Sequence, residues 1–178
     1  MFLPERLGLG RDRAAEIEHH IPALRRYAWA LLRNQDAADD LVQDCLERAL
    51  GRWYLRRHDA DPRPWLFAIL RNLYLNNVRQ RNRRGTHVEF QDTDGHASAD
   101  GDGERTLMGR DALQALGALS EEQRTLLLLI AVDDFSYQEA ADLFGVPTGT
   151  IMSRLSRARA NLRSLIEGGS RMTLRRVK

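Results

Sequence analysis

Apolar residues recur at helical spacing through most of this chain, and it contains no strand-like alternation of useful length. One apolar stripe extends from Ile17 to Leu32 and a second from Ala38 to Ala49, with members three or four residues apart. A third begins at Pro64 and continues to Leu73, within a helix that we expect to end at Arg84. The pattern therefore predicts an all-α fold.

The helical periodicity is lost between Gly85 and Thr106, where glycine, aspartate, serine and threonine dominate. Helical spacing resumes at Leu107 and persists to Ile166. We therefore predict two small helical bundles at residues 14–84 and 107–166. A flexible acidic linker at 85–106 joins them, and a basic tail follows at 167–178.

The segment from Ser136 to Arg163 is predicted to form a helix-turn-helix. Ser136 and Glu139 have the S-x-x-E spacing of a capping box, so a helix begins there, and Gly145 and Pro147 end it. The second helix has a buried stripe of Ile151, Leu155, Ala158 and Leu162. Its polar and basic residues lie off that stripe: Thr150, Ser153, Arg154, Arg157 and Arg163. This shape is typical of elements that enter a major groove.

Two further helix starts are marked by polar residues. Ser120 and Gln123 predict a second capping box, which opens the apolar helix Gln123 to Val132. Asp36 is the candidate N-cap of the helix that carries Ala38 to Ala49.

The charge is unevenly distributed, although the net charge is only +2. Residues 52–84 contain nine arginines and two aspartates, a net charge of +7. Residues 85–106 contain six acids and one arginine, a net charge of −5, and residues 171–178 carry +4. Two basic zones separated by an acidic one favour two contacts with a polyanion.

The composition indicates a soluble protein, with 43% hydrophobic residues and 29% charged residues. No apolar run approaches the ~20 residues of a membrane span, and the N-terminus lacks the pattern of a signal peptide, so we expect a cytoplasmic location. The single cysteine, Cys45, has helical spacing from Leu41 and Val42 and is interpreted as a core residue.

The sequence contains none of the common catalytic motifs. A phosphate-cradling glycine loop and a nucleophile elbow are both missing. His19 and His20 are adjacent and therefore point to different faces of a helix, which argues against a metal site. We predict that the chain is not an enzyme and needs neither a metal nor another cofactor.

Three stretches, in their order and spacing, resemble the extracytoplasmic-function (ECF) sigma factors of bacterial RNA polymerase. They are DAADDLVQDCLERAL at 36–50, PWLFAILRNLYLNNVR at 64–79, and LSEEQRTLLLLIAVDDFSYQEAADLFGVPTGTIMSRLSRARANLR at 119–163. The resemblance implies that residues 14–84 are sigma region 2 and that residues 107–166 are sigma region 4. It also implies that the chain binds core polymerase and directs promoter-specific initiation.

The resemblance implies roles for individual residues. Those expected to dock on the β′ clamp helices are Asp40, Gln43 and Asp44, and the β flap is the second expected polymerase contact. Those expected to read and open the −10 element are Arg71, Asn72, Asn76 and Arg79, with Trp53, Tyr54 and Tyr74 as candidate stacking platforms. Those expected at the −35 element are Thr150, Ser153 and Arg157 in the groove and Arg154 and Arg163 on phosphates. Met152 lies where many relatives have a basic residue. An anti-sigma factor is a further expected partner.

Two other classes of protein share part of this pattern. A free-standing helix-turn-helix regulator would explain residues 136–163 but not the acidic face at Asp39 to Glu47. A sigma-like adaptor that sequesters an anti-sigma factor would be expected to lose its groove-facing basic residues, whereas Arg154, Arg157, Arg159 and Arg163 are all present.

Overall fold

The computed structural model describes residues 15–56, 61–84 and 112–175, with side chains up to residue 168. Every regular element in these ranges is helical, which confirms the predicted all-α class. The chain divides into two compact units, Met1–Glu89 and Phe90–Lys178. None of the described helices is both long enough and apolar enough to cross a bilayer. The predicted linker at 85–106 lies outside the described residues.

The described residues of the first unit form three helices and a short 3₁₀ turn. The helices are α1 (Ile21–Leu32), α2 (Gln35–Gly51) and α3 (Pro62–Arg84), and the 3₁₀ turn is Trp53–Leu55. Residues 15–18 form a separate helical turn before α1. The predicted stripe from Ile17 to Leu32 is therefore broken at His19 and His20. Pro22 explains the break, because it has no N–H for the carbonyl four residues earlier and its ring clashes there.

Two predicted helix starts in this unit are wrong. Asn34, not Asp36, is the N-cap of α2: its backbone is extended and its side-chain oxygen accepts from the Ala37 N–H at 2.8 Å. Asp36 instead lies in the first turn, where a negative charge suits the helix dipole. α3 begins at Pro62 rather than Pro64, after Asp61 Oδ1 accepts from the Arg63 N–H at 2.9 Å.

The core of the first unit is formed where α1, α2 and α3 meet. Leu24 and Leu31 of α1, Cys45 of α2 and Leu70 of α3 are almost fully buried. The rings of Tyr27 and Phe67 contact each other with centroids 5.3 Å apart. This packing fixes which faces of α2 and α3 remain at the surface.

His20 lies in this unit at the start of α1 and is only 8% exposed. Burial and the neighbouring His19 lower its pKa below 6.5, and Asp61, whose Oδ1 lies 3.8 Å from His20 Nε2, opposes that shift only in part. Arg63 lowers the pKa further.

The lowered pKa of His20 predicts that stability falls in acid. Just below about pH 6.5, His20 is more fully protonated in the unfolded chain than in the folded one. The free energy of unfolding therefore rises with pH across this window. We expect the urea midpoint to be lower at about pH 5.5 than at about pH 7.5, and His20→Gln to reduce that difference. Subtracting the midpoint shift of the variant from that of the wild-type protein removes the contribution of the other titrating groups. An identical pH dependence in both would contradict the assignment.

The described residues of the second unit form a helical segment at 112–118 and three helices. They are α4 (Glu121–Ala131), α5 (Tyr137–Phe144) and α6 (Thr148–Arg175). The backbone of α6 continues past Ile166, where the sequence pattern places the end of the bundle, and so includes part of the predicted tail. Side chains beyond residue 168 lie outside the described part of the chain.

A buried arginine joins the 112–118 segment to α4. The Arg124 guanidinium is 3% exposed and donates to the carbonyls of Leu116 (2.9 Å) and Leu119 (3.2 Å) and to that of Gly117. Ser120 caps α4 by accepting from the Gln123 N–H at 3.4 Å. Only this serine half of the predicted capping box is formed, and α4 begins at Glu121 rather than Gln123.

The apolar side of α6 packs against α4 and α5. Ile151, Leu155 and Ala158 are buried, as their spacing predicts, whereas Leu162, the fourth member of the predicted stripe, is only half-buried. Ala140 and Ala141 of α5 are also buried, and their small side chains let α5 and α6 approach closely. The polar side of α6 is thereby turned to solvent.

Candidate nucleic-acid interface and docking face

The turn between α5 and α6 has the predicted helix-turn-helix chemistry. Ser136 accepts from the Glu139 N–H at 3.2 Å, and the Glu139 carboxylate accepts from the Ser136 N–H at 2.8 Å, which completes the capping box. Gly145 ends α5 in the left-handed region with φ of 65°. A side chain there would be strained, so glycine is the suitable residue.

Two side-chain hydrogen bonds that the sequence did not predict also join the two helices of this motif. Thr148 Oγ1 donates to Gln138 Oε1 at 2.8 Å, and Gln138 Nε2 donates to Asp142 at 3.0 Å. Gln138 thus ties the start of α6 to α5. No periodic signal marks such a contact, because both residues are ordinary polar residues at helix starts.

Thr150, Ser153 and Arg157 lie on one face of α6, within about 60° of one another at about 100° per residue. Ser153 Oγ donates to the Thr150 carbonyl at 2.9 Å, so the hydroxyl can still accept a hydrogen bond. Arg157 Nε donates to the Ser153 carbonyl at 3.3 Å, and its two terminal nitrogens have no acceptor among the described residues. Two parallel donors are what guanine O6 and N7 require.

Arg154 and Arg163 are placed differently from Arg157. Arg154 forms an ion pair with Glu122 at the start of α4 and is partly buried. Arg163 is exposed, but it lies about 120° around α6 from Arg157, nearly two turns farther along. Met152 is also exposed, at 55%. The structure therefore does not bring all five expected −35 residues onto one face.

The polar face of α3 is a straight strip. Asn72, Asn76 and Arg79 are exposed and lie three or four residues apart, so they point the same way. Arg71 is half-buried and lies about 100° to one side. Three of the four expected −10 residues thus share a surface with both amide and cationic groups, and Arg71 lies at its edge.

The three candidate stacking aromatics have different environments. Trp53 and Tyr74 are 2% and 3% exposed, so they are core residues and cannot receive a base without unfolding. Trp53 packs edge-on against Trp65, with centroids 5.8 Å apart. Tyr54, in contrast, is 74% exposed on the 3₁₀ turn. We therefore retain only Tyr54 as a candidate platform.

The acidic face of α2 is exposed at the expected docking residues. Asp40, Gln43 and Asp44 are all exposed, and Gln43 Nε2 donates to Glu47 at 3.1 Å. Asp39 differs, because it forms an ion pair with Arg25 of α1 at 3.1 Å and accepts from Gln35. Asp39 is thus engaged at the surface by residues of its own unit, while Asp40 and Asp44 leave two carboxylates available to a partner.

The described residues include no group of three histidines, cysteines or acids that could hold a metal ion. His58, His87 and His96 lie outside those residues. Cys45 is buried, and burial raises its thiol pKa to about 12, so the reactive thiolate is strongly disfavoured. This agrees with its interpretation as a core residue.

Two protein-family models match the chain, one in each unit. The model described as the Sigma2 domain of PhyR matches residues 17–71, which include α1, α2 and the first part of α3. The model described as Sigma-70, region 4, matches residues 110–162, which include the helix-turn-helix.

Solved structures give the same fold. The sigma factor RpoE from Bartonella quintana, solved in complex with the anti-sigma factor NepR, is 34% identical with a TM-score of 0.74; the match covers 88% of this chain and 98% of that one. The anti-anti-sigma factor PhyR of the same organism, solved with NepR, is 19% identical with a TM-score of 0.57, covering 84% and 48%. At that identity, PhyR supports the fold alone.

Among curated proteins, the ECF RNA polymerase sigma factor EcfG of Rhodopseudomonas palustris is 37% identical over 156 residues. The match covers 82% of this chain and 80% of that protein, so it includes both units rather than one shared domain. The chain therefore belongs to the family of ECF RNA polymerase sigma factors.

Proposed function

We propose that this chain binds core RNA polymerase and directs initiation at promoters whose −35 and −10 elements are read by α6 and α3. The observation that carries this proposal is the pair of polar helical faces in separate units. One presents Ser153 and Arg157, and the other presents Asn72, Asn76 and Arg79. Two modest DNA contacts on one chain gain affinity through effective concentration when both elements are present.

In this proposal each surface has a distinct task. The exposed carboxylates of Asp40 and Asp44 meet basic residues of the β′ clamp helices, where opposite charges set docking register and rate. Asn72 and Tyr54 receive a base freed from the −10 duplex, since amide groups and an exposed ring suit an unstacked base. RNA synthesis itself remains with the polymerase, in the cytoplasm.

A regulatory partner is part of the proposal. RpoE of Bartonella quintana was solved with the anti-sigma factor NepR, which supports binding of an anti-sigma factor by this chain as well.

A second candidate function is that of an adaptor which captures an anti-sigma factor without starting transcription. The match to the Sigma2 domain of PhyR favours it, because PhyR is named an anti-anti-sigma factor. The free terminal nitrogens of Arg157 and the polar strip on α3 favour the initiation factor instead, since an adaptor has no need of DNA-facing donors.

Transcription with purified components tests the proposal. We expect the chain, mixed with core polymerase and a fragmented genomic template, to yield transcripts whose start sites share two upstream motifs. Core polymerase alone is the control. Binding to those motifs without polymerase, and no transcripts, would indicate a free-standing regulator. Capture of an anti-sigma factor with neither DNA binding nor transcripts would indicate the adaptor.

A further inference from the structure

An ion pair and a cation–π contact connect the helical turn at 15–18 to the 3₁₀ turn after α2. Glu16 Oε2 accepts from Arg56 Nη2 at 2.6 Å. The Arg56 guanidinium lies 4.5 Å from the centroid of the Trp53 ring, and Trp53 packs edge-on against Trp65. A carboxylate, a cation and two rings therefore contact one another in sequence, with Arg56 and Trp53 buried between the more exposed Glu16 and Trp65.

The burial of Arg56 makes this contact more than a surface ion pair. Its side chain is 5% exposed, while that of Glu16 is 44% exposed. A guanidinium stays charged at every pH relevant to proteins, and a charge removed from water needs a partner in good geometry. Glu16 supplies one such partner from a segment 40 residues earlier in the chain.

Tyr54 and Leu55 stand between the two fixed residues of this stack. Trp53 is held in the core, and Arg56 is held between Glu16 and the Trp53 ring. The turn is closed by the Arg56 N–H, which donates to the Trp53 carbonyl at 3.1 Å. With both ends fixed, the intervening Tyr54 and Leu55 face solvent, at 74% and 65% exposure.

We propose that Glu16 is a positioning residue for promoter opening: by holding Arg56 against Trp53, it fixes the outward display of Tyr54, on which an unpaired promoter base stacks. This inference rests on the proposed function. Stacking on an aromatic side chain changes affinity by about 5- to 150-fold per base, so loss of the correct display has a measurable consequence.

A double-mutant cycle on the full chain bound to core polymerase tests the inference. The variants are Glu16→Ala, Tyr54→Ala and their combination, and the readout is permanganate reactivity of unpaired thymines in a cognate −10 element. We expect each single variant to lower open-complex formation about tenfold, and the combination to lower it little further than Tyr54→Ala alone. Glu16→Gln, which keeps an acceptor oxygen, should restore part of the loss.

Matched measurements separate positioning from general damage. Glu18→Ala removes an exposed acid from the same turn and should leave opening unchanged. Affinity for core polymerase and for an isolated −35 duplex should also be unchanged in Glu16→Ala. If that variant does not fold, Glu16→Gln takes its place in the cycle.

Two results would overturn the inference alone: losses that multiply in the combined variant, or a Glu16→Ala defect that extends to the −35 duplex. A wild-type chain that opens no promoter would overturn the proposed function, and this inference with it.

Discussion

Arg157→Ala should lower affinity for one class of −35 element by about 5- to 150-fold and leave other classes within about twofold of the wild-type value. The expected loss corresponds to about 1–3 kcal/mol for a bidentate arginine–guanine contact. The variant should fold normally, because Arg157 is exposed and its described hydrogen bond is to the Ser153 carbonyl of its own helix.

Arg163→Ala is the matched control, since it removes the same side chain from the same helix. Arg163 lies about 120° from Arg157 around α6, so a phosphate contact is its expected role. It should weaken binding evenly across promoter sequences and reduce the dependence on salt by about one counterion. Footprints of both variants across a set of promoter mutants make the comparison. Equal and uniform losses in the two variants would contradict the assignment of Arg157 to the groove.

Local chemistry made much of the second unit predictable. The Ser136–Glu139 capping box and the left-handed Gly145 depend on residues within four positions of each other, and both are present. The buried stripe through Ile151 and Leu155 follows from helical spacing alone. Such features depend on residues close together in the chain, so they can be predicted from residue types and spacing.

Some features could not be predicted, because they depend on contacts between distant segments or on the local path of the backbone. Arg154 appears in the sequence as one more exposed arginine, but Glu122, 32 residues earlier, pairs with it. Trp53 and Tyr54 are adjacent aromatic residues, and from the sequence either could stack on a base. The geometry of the 3₁₀ turn determines that Trp53 is buried and Tyr54 is exposed. Asn34 and Asp36 are both good caps, and the extended backbone at Asn34 selects it. In each case the three-dimensional path of the chain carried the decisive information.

The pairing of Arg154 also changes what its substitution is expected to do. Its guanidinium holds the start of α4 against α6, so removal should disturb the seating of α6 as well as any phosphate contact. A loss of DNA binding in that variant would therefore not identify a contact, whereas Arg157 and Arg163 allow that interpretation.

Asp40→Arg and Asp44→Arg should each weaken binding to core polymerase by about tenfold or more, and their combination by more than either alone. Both carboxylates are exposed, one turn apart on α2, and neither is used by a described ion pair. Placing like charges across an interface costs several kcal/mol, so reversal should exceed the effect of neutralisation to Asn. The measurement is competition for core polymerase at two salt concentrations.

Glu18→Arg is the charge-matched control, because it makes the same change at an exposed position outside α2. Asp39→Arg supplies the opposite contrast: since Asp39 pairs with Arg25, that change should lower the melting temperature of the first unit. If docking depends on the local acidic face, only the Asp40 and Asp44 variants lose polymerase affinity while keeping the melting temperature. An equal loss in Glu18→Arg would mean that overall charge, rather than this face of α2, governs the encounter, and the docking assignment would then be wrong.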